Sequence, residues 1–231
     1  MKMKNKSVQC AVAALVLLFC SCSNDYTPKP AAYLRIDTPE HKYWLVDTLP
    51  NEMFGQSIPG TTLPFIFEAN ECTELTLKRP RLVCTMDDYD TKSGIKPVYS
   101  KGMFDEVWLD INYPQWDGVV FLTYKRIRSL DDLRGQIDTS ARLLEKHYQV
   151  ASGVDEHRFD SDDGTVHAVT WHLLGAKVAS TYQFYATDSV SNFLRGGLFL
   201  NQTPNNDSLA PVLEYIQADI DHLIETLRWR Q

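Results

Sequence analysis

Lys2, Lys4 and Lys6 open the chain, an apolar run from Val8 to Phe19 follows, and the run ends in Phe19-Cys20-Ser21-Cys22. This stretch constrains the fold most, because it decides which residues have to fold at all. About a dozen apolar residues fall well short of the ~20 that span a bilayer. Behind a basic start they read as the h-region of a signal peptide, and the terminal cysteine makes it a bacterial lipoprotein signal, cut before a cysteine that then carries acyl chains. A buried N-terminal helix is the competing reading, and the abrupt cysteine pair argues against it. Small Ser21 precedes Cys22 whereas bulky Phe19 precedes Cys20, so Cys22 is the expected lipid acceptor. Residues 1–21 are then signal peptide, 22–32 a lipid-tethered linker carrying Pro28 and Pro30, and 33–231 a single domain. No other stretch approaches membrane length, so the acyl chains are the expected anchor.

Composition narrows what that domain does. An apolar share of 44% argues against wholesale disorder. The formal net charge is −7, and losing three lysines with the signal peptide leaves −10. A surface of that sign repels phosphate backbones, and no basic run offsets it, so nucleic acid is not an expected partner. Cys72 and Cys84 remain after processing, in a compartment where a disulfide persists. Their spacing suits a small loop worth ~2–3 kcal/mol. Two free buried thiols are the open alternative.

Along the domain, short alternating runs at Tyr33–Asp37, Tyr43–Val46, Phe65–Glu68 and Leu75–Lys78 read as strands, with Pro80 closing the last. Asn51 to Thr62, with Gly55, Pro59 and Gly60, reads as loop, and Met86 to Gly102 as a long polar connection. A hairpin follows: Val107, Leu109 and Ile111 alternate with Glu106, Asp110 and Asn112, and the chain turns through Pro114 to Gly118 and returns to Tyr124. Ser129, with Asp132 three residues on, opens a helix whose stripe is Leu133, Ile137, Leu144 and Tyr148, ending near Gly153. Strands are expected at 154–159, 165–174, 182–187 and 193–201. A last helix, capped by Asp207 with Pro211 in its first turn, carries Leu209, Leu213, Ile216, Ile220, Leu223 and Leu227. This order predicts an α+β domain, one antiparallel sheet covered by two helices, similar in outline to the Mog1/PsbP-like sandwiches by analogy.

Catalytic signatures are sparse. No phosphate-binding glycine loop, nucleophile elbow or zinc-protease helix occurs in the sequence. His157, His167 and His172 lie close together, and a turn near Asp162 would set His157 opposite His167. However, His167 and His172 point to opposite faces of one strand, so no metal or cofactor site is expected. Arg195-Gly196-Gly197 is unusual, because paired glycines weaken a strand unless something approaches closely or the strand kinks. The bland reading is a bulge with Arg195 paired to an acid such as Asp188; the functional one is a guanidinium binding a carboxylate or phosphate.

Several segments together carry a family resemblance. They are Tyr26-Thr27-Pro28-Lys29-Pro30 with Tyr33 to Asp37, Pro64 to Glu68, and Trp108 to Pro114. The densest run from Gln183 to Ser189 and from Asn192 to Asn201, then through Asp207 to Pro211 into Asp219 to Trp229. In these the chain resembles the gliding-motility lipoproteins of the GldD type. The resemblance implies a non-enzymatic accessory protein of the Bacteroidota envelope, lipid-anchored and most simply at the outer membrane facing the periplasm. It further implies a scaffold or assembly role in gliding and the associated type IX secretion apparatus, with other gliding and secretion lipoproteins and envelope proteins as partners. No catalytic residues are carried over, and Arg195, Gly196, Gly197 and Trp229 are the candidate interaction positions. The alternative is an envelope ligand-binding lipoprotein or a hydrolase acting on cell-wall or glycan material.

Overall fold

The computed structural model describes residues 36–53, 56–82 and 104–230. Cys22, the tether and Cys84 lie outside them. Among the described residues, ten strands and two helices run in the order β1 (Tyr43–Met53), β2 (Gln56–Asn70), β3 (Glu74–Leu82), β4 (Phe104–Tyr113), β5 (Gly118–Arg126), α1 (Leu130–Glu145), β6 (Gly153–Asp160), β7 (His167–Leu174), β8 (Tyr182–Thr187), β9 (Asn192–Leu200), α2 (Asn206–Thr226) and β10 (Arg228–Trp229).

The strands form two antiparallel sheets, not the single one expected. A large sheet has the order β3-β4-β5-β9-β8-β7-β6 and a small one β1-β2-β10. Alternation decides what covers each face of the large sheet. Val107, Leu109 and Ile111 of β4, Val120 and Leu122 of β5 and Leu194 and Leu198 of β9 point inward, into one core with Phe65 and Phe67 of β2 and Val212, Ile216 and Ile220 of α2. The small sheet and α2 thus share the inner face. On the outer face α1 covers only the β7–β9 side: Leu133 packs with Ile127 and Phe193, and Leu144 with Trp171, Leu173 and Val178. The outer face of β3, β4 and β5 carries no helix among the described residues.

The four-strand meander, the β4–β5 hairpin and both helices fall close to their expected places. The Ser129 cap forms, its Oγ accepting from Asp132 N–H at 3.1 Å, while Asp132 reaches one residue further back to Arg128 N–H. Other expectations fail for local reasons. The Asn51–Thr62 loop is part of the β1–β2 hairpin. Its register slips between Leu49↔Thr61 and Asn51↔Ile58, so Pro59 and Gly60 lie opposite Pro50, where neither proline owes a ladder hydrogen bond. Similarly, β3 runs through Pro80 because it is the edge of the large sheet. Ile36 and Asp37 belong to an irregular segment that runs to residue 42, and the rest of the expected Tyr33–Asp37 strand, like the expected Met86–Gly102 connection, lies outside the described residues. α1 stops at Glu145, leaving Tyr148 exposed, and α2 begins at Asn206, putting Pro211 in its second turn.

Candidate functional site

The densest polar cluster gathers on α2. Tyr215, Asp219 and His222 recur at steps of four and three, hence on one helix face. That face meets Asn70 at the end of β2, Tyr113 at the end of β4, and His41 and Tyr43 where the chain enters β1. Asp219 is 5% exposed yet fully engaged. Its Oδ1 accepts from Asn70 Nδ2 at 3.0 Å and Tyr43 Oη at 3.0 Å and lies 2.7 Å from His41 Nδ1. Its Oδ2 accepts from Tyr113 Oη at 3.0 Å and again from Asn70 at 3.1 Å. Burial, and then the Asp219 charge, push the Tyr43 and Tyr113 phenols far above their usual range, so both remain donors. The rings stack as well, His41 on Tyr215 at 4.0 Å and Tyr43 on His222 at 3.7 Å, while His222 Nε2 lies 2.7 Å from Glu68 Oε2.

An Asp among His and Tyr side chains has the residue types of a general base. A carboxylate offers about four acceptor positions, however, and five contacts already crowd these two oxygens. No oxygen is left for a substrate proton. The cluster is a lock that fastens the entry of the chain, just after the expected tether, to α2.

The Arg195-Gly196-Gly197 segment lies in the middle of the large sheet. β9 pairs with β5 and β8 without a register slip, so the expected bulge is absent. Gly196 faces inward beneath Phe184: an added Cβ would stand 2.2 Å from Phe184 Cε1. Close approach, the other reading of the paired glycines, accounts for it. Gly197 faces outward, where a Cβ would meet nothing nearer than Gln183 Cγ at 3.5 Å. Arg195 also faces outward, half-buried, and donates to Gln183 Oε1 at 3.0 Å rather than pairing with Asp188. Burial alone pulls its guanidinium below the usual arginine range.

Asp188 instead builds the β8–β9 turn. Its Oδ1 accepts from the N–H groups of Val190, Ser191 and Asn192 at 2.8–2.9 Å, and its Oδ2 from Asn192 Nδ2. Burial raises the Asp188 carboxyl, but these donors outweigh it and leave it below the usual range. A depressed carboxyl stabilises the fold fully above its unfolded value and loses that contribution as pH falls through the folded one. Asp188→Asn is therefore expected to cost stability at pH 7 and progressively less in acid below about pH 4, which urea titrations across pH will check.

Trp229 is structural in its contacts. β10 pairs with β2, the indole donates to Thr165 O at 2.9 Å, and the ring packs against the main core. Cys72 is half-buried and has no disulfide partner among the described residues, Cys84 lying outside them; its Sγ is 3.8 Å from Tyr215 Oη and accepts from Gln115 Nε2. His167 faces Asp160, with its Nδ1 2.6 Å from Oδ1, while His157 pairs with Thr170. The hairpin therefore does not set the two histidines opposite each other. Among the described residues no three His, Cys, Asp or Glu side chains converge as metal ligands. Sequence reading missed His41, Tyr43, Asn70, Tyr113 and Asp219. The available signal was an acid inside the apolar stripe of α2, flanked by Tyr215 and His222 at helical spacing.

These features define an α+β domain whose entry is fastened to α2 and whose large sheet carries no helix over the outer face of β3, β4 and β5 among the described residues. The family model described as gliding motility lipoprotein GldD matches residues 23–229, so the chain belongs to that family. No curated protein and no solved structure matches it, and the Mog1/PsbP likeness stays an analogy of element order. No helix among the described residues is long and apolar enough to cross a membrane.

Proposed function

We propose that this gliding-motility lipoprotein is a non-enzymatic scaffold or assembly factor, held in the envelope by acyl chains on Cys22. It serves the motility apparatus and the type IX secretion machinery associated with it. Residues 1–21 are removed as signal peptide, residues 22–32 tether, and the domain from residue 33 binds other gliding and secretion lipoproteins at the periplasmic side of the outer membrane. The observation that carries this reading is the engagement of Asp219. The best-built ionisable cluster uses both carboxylate oxygens within the fold, while aromatic side chains stand exposed on the outer face of the large sheet. Exposed aromatic surface suits a protein partner better than a buried substrate does.

The alternative, a ligand-binding or glycan-hydrolysing lipoprotein, rests on a groove of about 450 Å³ beside α2, lined by His172, Asp207, Glu214 and Gln217. Deletion of the gene is expected to abolish surface spreading and to impair secretion of C-terminally signalled cargo. Asp207→Asn with Glu214→Gln is expected to leave both intact. A deletion strain that glides and secretes normally refutes the scaffold reading, and loss of both functions in the double variant favours the alternative. Cys22→Ala is expected to move the protein from the membrane fraction to the soluble fraction, or to leave it unprocessed, whereas Cys20→Ala does neither. Equal acyl labelling of both variants refutes the anchor assignment.

A further inference from the structure

On the outer face of the large sheet, β9 presents Arg195, Gly197 and Phe199 in succession, with Phe121 of β5 directly across from Gly197. Phe121 is 46% and Phe199 37% exposed, and their ring centroids lie 6.3 Å apart. Gly197, across from Phe121 and two residues before Phe199 on β9, leaves a gap in the side-chain layer beside this ring pair. Packing does not demand a glycine there, since a Cβ would make only ordinary van der Waals contacts. Glycine in a strand interior costs roughly 0.5–1 kcal/mol relative to alanine, so the position is kept bare at some cost in stability. A bare strand position suits the close approach of another backbone.

The charges around this gap are unequal. Asp110, one strand beyond Phe121, pairs with Lys78 Nζ at 3.5 Å. Glu106 faces Lys125 across the β4–β5 ladder and accepts from Trp108 Nε1. Arg195 has Gln183 as its hydrogen-bond partner and no carboxylate within ion-pair distance among the described residues. His147, just beyond α1, lies near enough that burial and then the Arg195 charge disfavour its charged form. A chain with an excess of acids thus holds a half-buried guanidinium with no carboxylate at ion-pair distance among the described residues, on the same sheet face as two exposed phenylalanines.

We propose that this gap is a docking groove for a segment of a partner protein that carries an Asp or Glu next to an aromatic or aliphatic side chain. The carboxylate pairs with Arg195, the backbone crosses Gly197, and the apolar side chain packs onto the exposed Phe121 and Phe199 rings. The inference rests on the protein-binding role proposed above and names its surface and the chemistry of its partner.

The test places p-benzoylphenylalanine at Phe121, at Phe199 or at the exposed turn residue Val190 of the full-length protein, in cells that normally produce it. Irradiation from 121 and 199 is expected to give a discrete adduct absent from 190, and peptide mapping to place the crosslink within a few residues of an Asp or Glu. Gly197→Leu and, separately, Arg195→Gln are expected to lower adduct yield at least tenfold in protein that accumulates and melts as the parent does. Changing the mapped acid to its amide is expected to lower it equally. Adducts to lipid, to a segment without an acid, or equal from all three positions overturn the proposal, as does an adduct indifferent to both substitutions. Should the adducts fail while deletion still abolishes spreading, the docking site is refuted and the scaffold reading stands. A deletion strain that spreads normally refutes that reading instead.

Discussion

Asp219→Ala is expected to destabilise the domain by about 2–4 kcal/mol, because each neutral buried donor left without a partner costs about 1–3 kcal/mol. Tyr113 is 2% exposed and loses Asp219 as its hydroxyl's partner; Asn70, equally buried, loses both its bonds to the carboxylate but keeps Tyr215 Oη at 2.7 Å. His41 is closer to solvent, so it turns to water at little cost. Asp219→Asn retains a carbonyl oxygen for Tyr43 and His41, but sets an amide N–H₂ against Asn70 Nδ2. Its expected cost is about 1–2 kcal/mol, that of one unsatisfied buried donor. Urea unfolding followed by tryptophan fluorescence measures both. Limited proteolysis adds a local readout, because release of His41 and Tyr43 exposes residues 36–43 before the core opens. An alanine variant within 0.5 kcal/mol of the parent shows that the cluster is not a lock.

That lock was illegible in the sequence for a definite reason. Its members are distant along the chain, with Tyr113 and Asp219 separated by 106 residues and His41 and Asp219 by 178. Periodicity places Asp219 on a helix face but cannot say that two strand ends and an irregular segment converge there. The β6–β9 meander was legible because each of its signals is local: alternation of period two, the Asp163-Gly164 turn with Gly164 at φ +67°, and the Asp188 turn. The β1–β2 hairpin was not, because Pro59 and Gly60 are loop residues by composition and become strand residues only when a slip sets them opposite Pro50. β10, at two residues, is too short for any period to register. The second sheet follows from these two misses together: with β1–β2 broken by an apparent loop and β10 invisible, one sheet was all the pattern contained.

The paired glycines show the same limit at the scale of one residue. Sequence marks Gly196 and Gly197 alike, and only packing separates them, one kept bare by the core and the other half-buried on the outer face with room for a Cβ. Gly196→Ala is accordingly expected to destabilise by at least 1–3 kcal/mol, the usual cost of overpacking, although alanine suits a strand better than glycine. Its Cβ would stand 2.2 Å from Cε1 and 2.4 Å from Cζ of Phe184, and 3.0 Å from Leu122 Cδ2. Phe184 is fully buried on the neighbouring strand, so the ring cannot swing out and the β8–β9 ladder has to open instead. Gly197→Ala, one residue on, is expected to be neutral or slightly stabilising, because its Cβ meets only ordinary contacts and the unfolded chain loses freedom. A double-mutant cycle isolates the clash. Phe184→Leu alone leaves a cavity, but combined with Gly196→Ala it is expected to cost less than the sum of the two single changes by 1 kcal/mol or more. Additive losses would place the strain elsewhere than at the ring. Equal effects of the Gly196 and Gly197 substitutions would remove the distinction on which the outward groove depends.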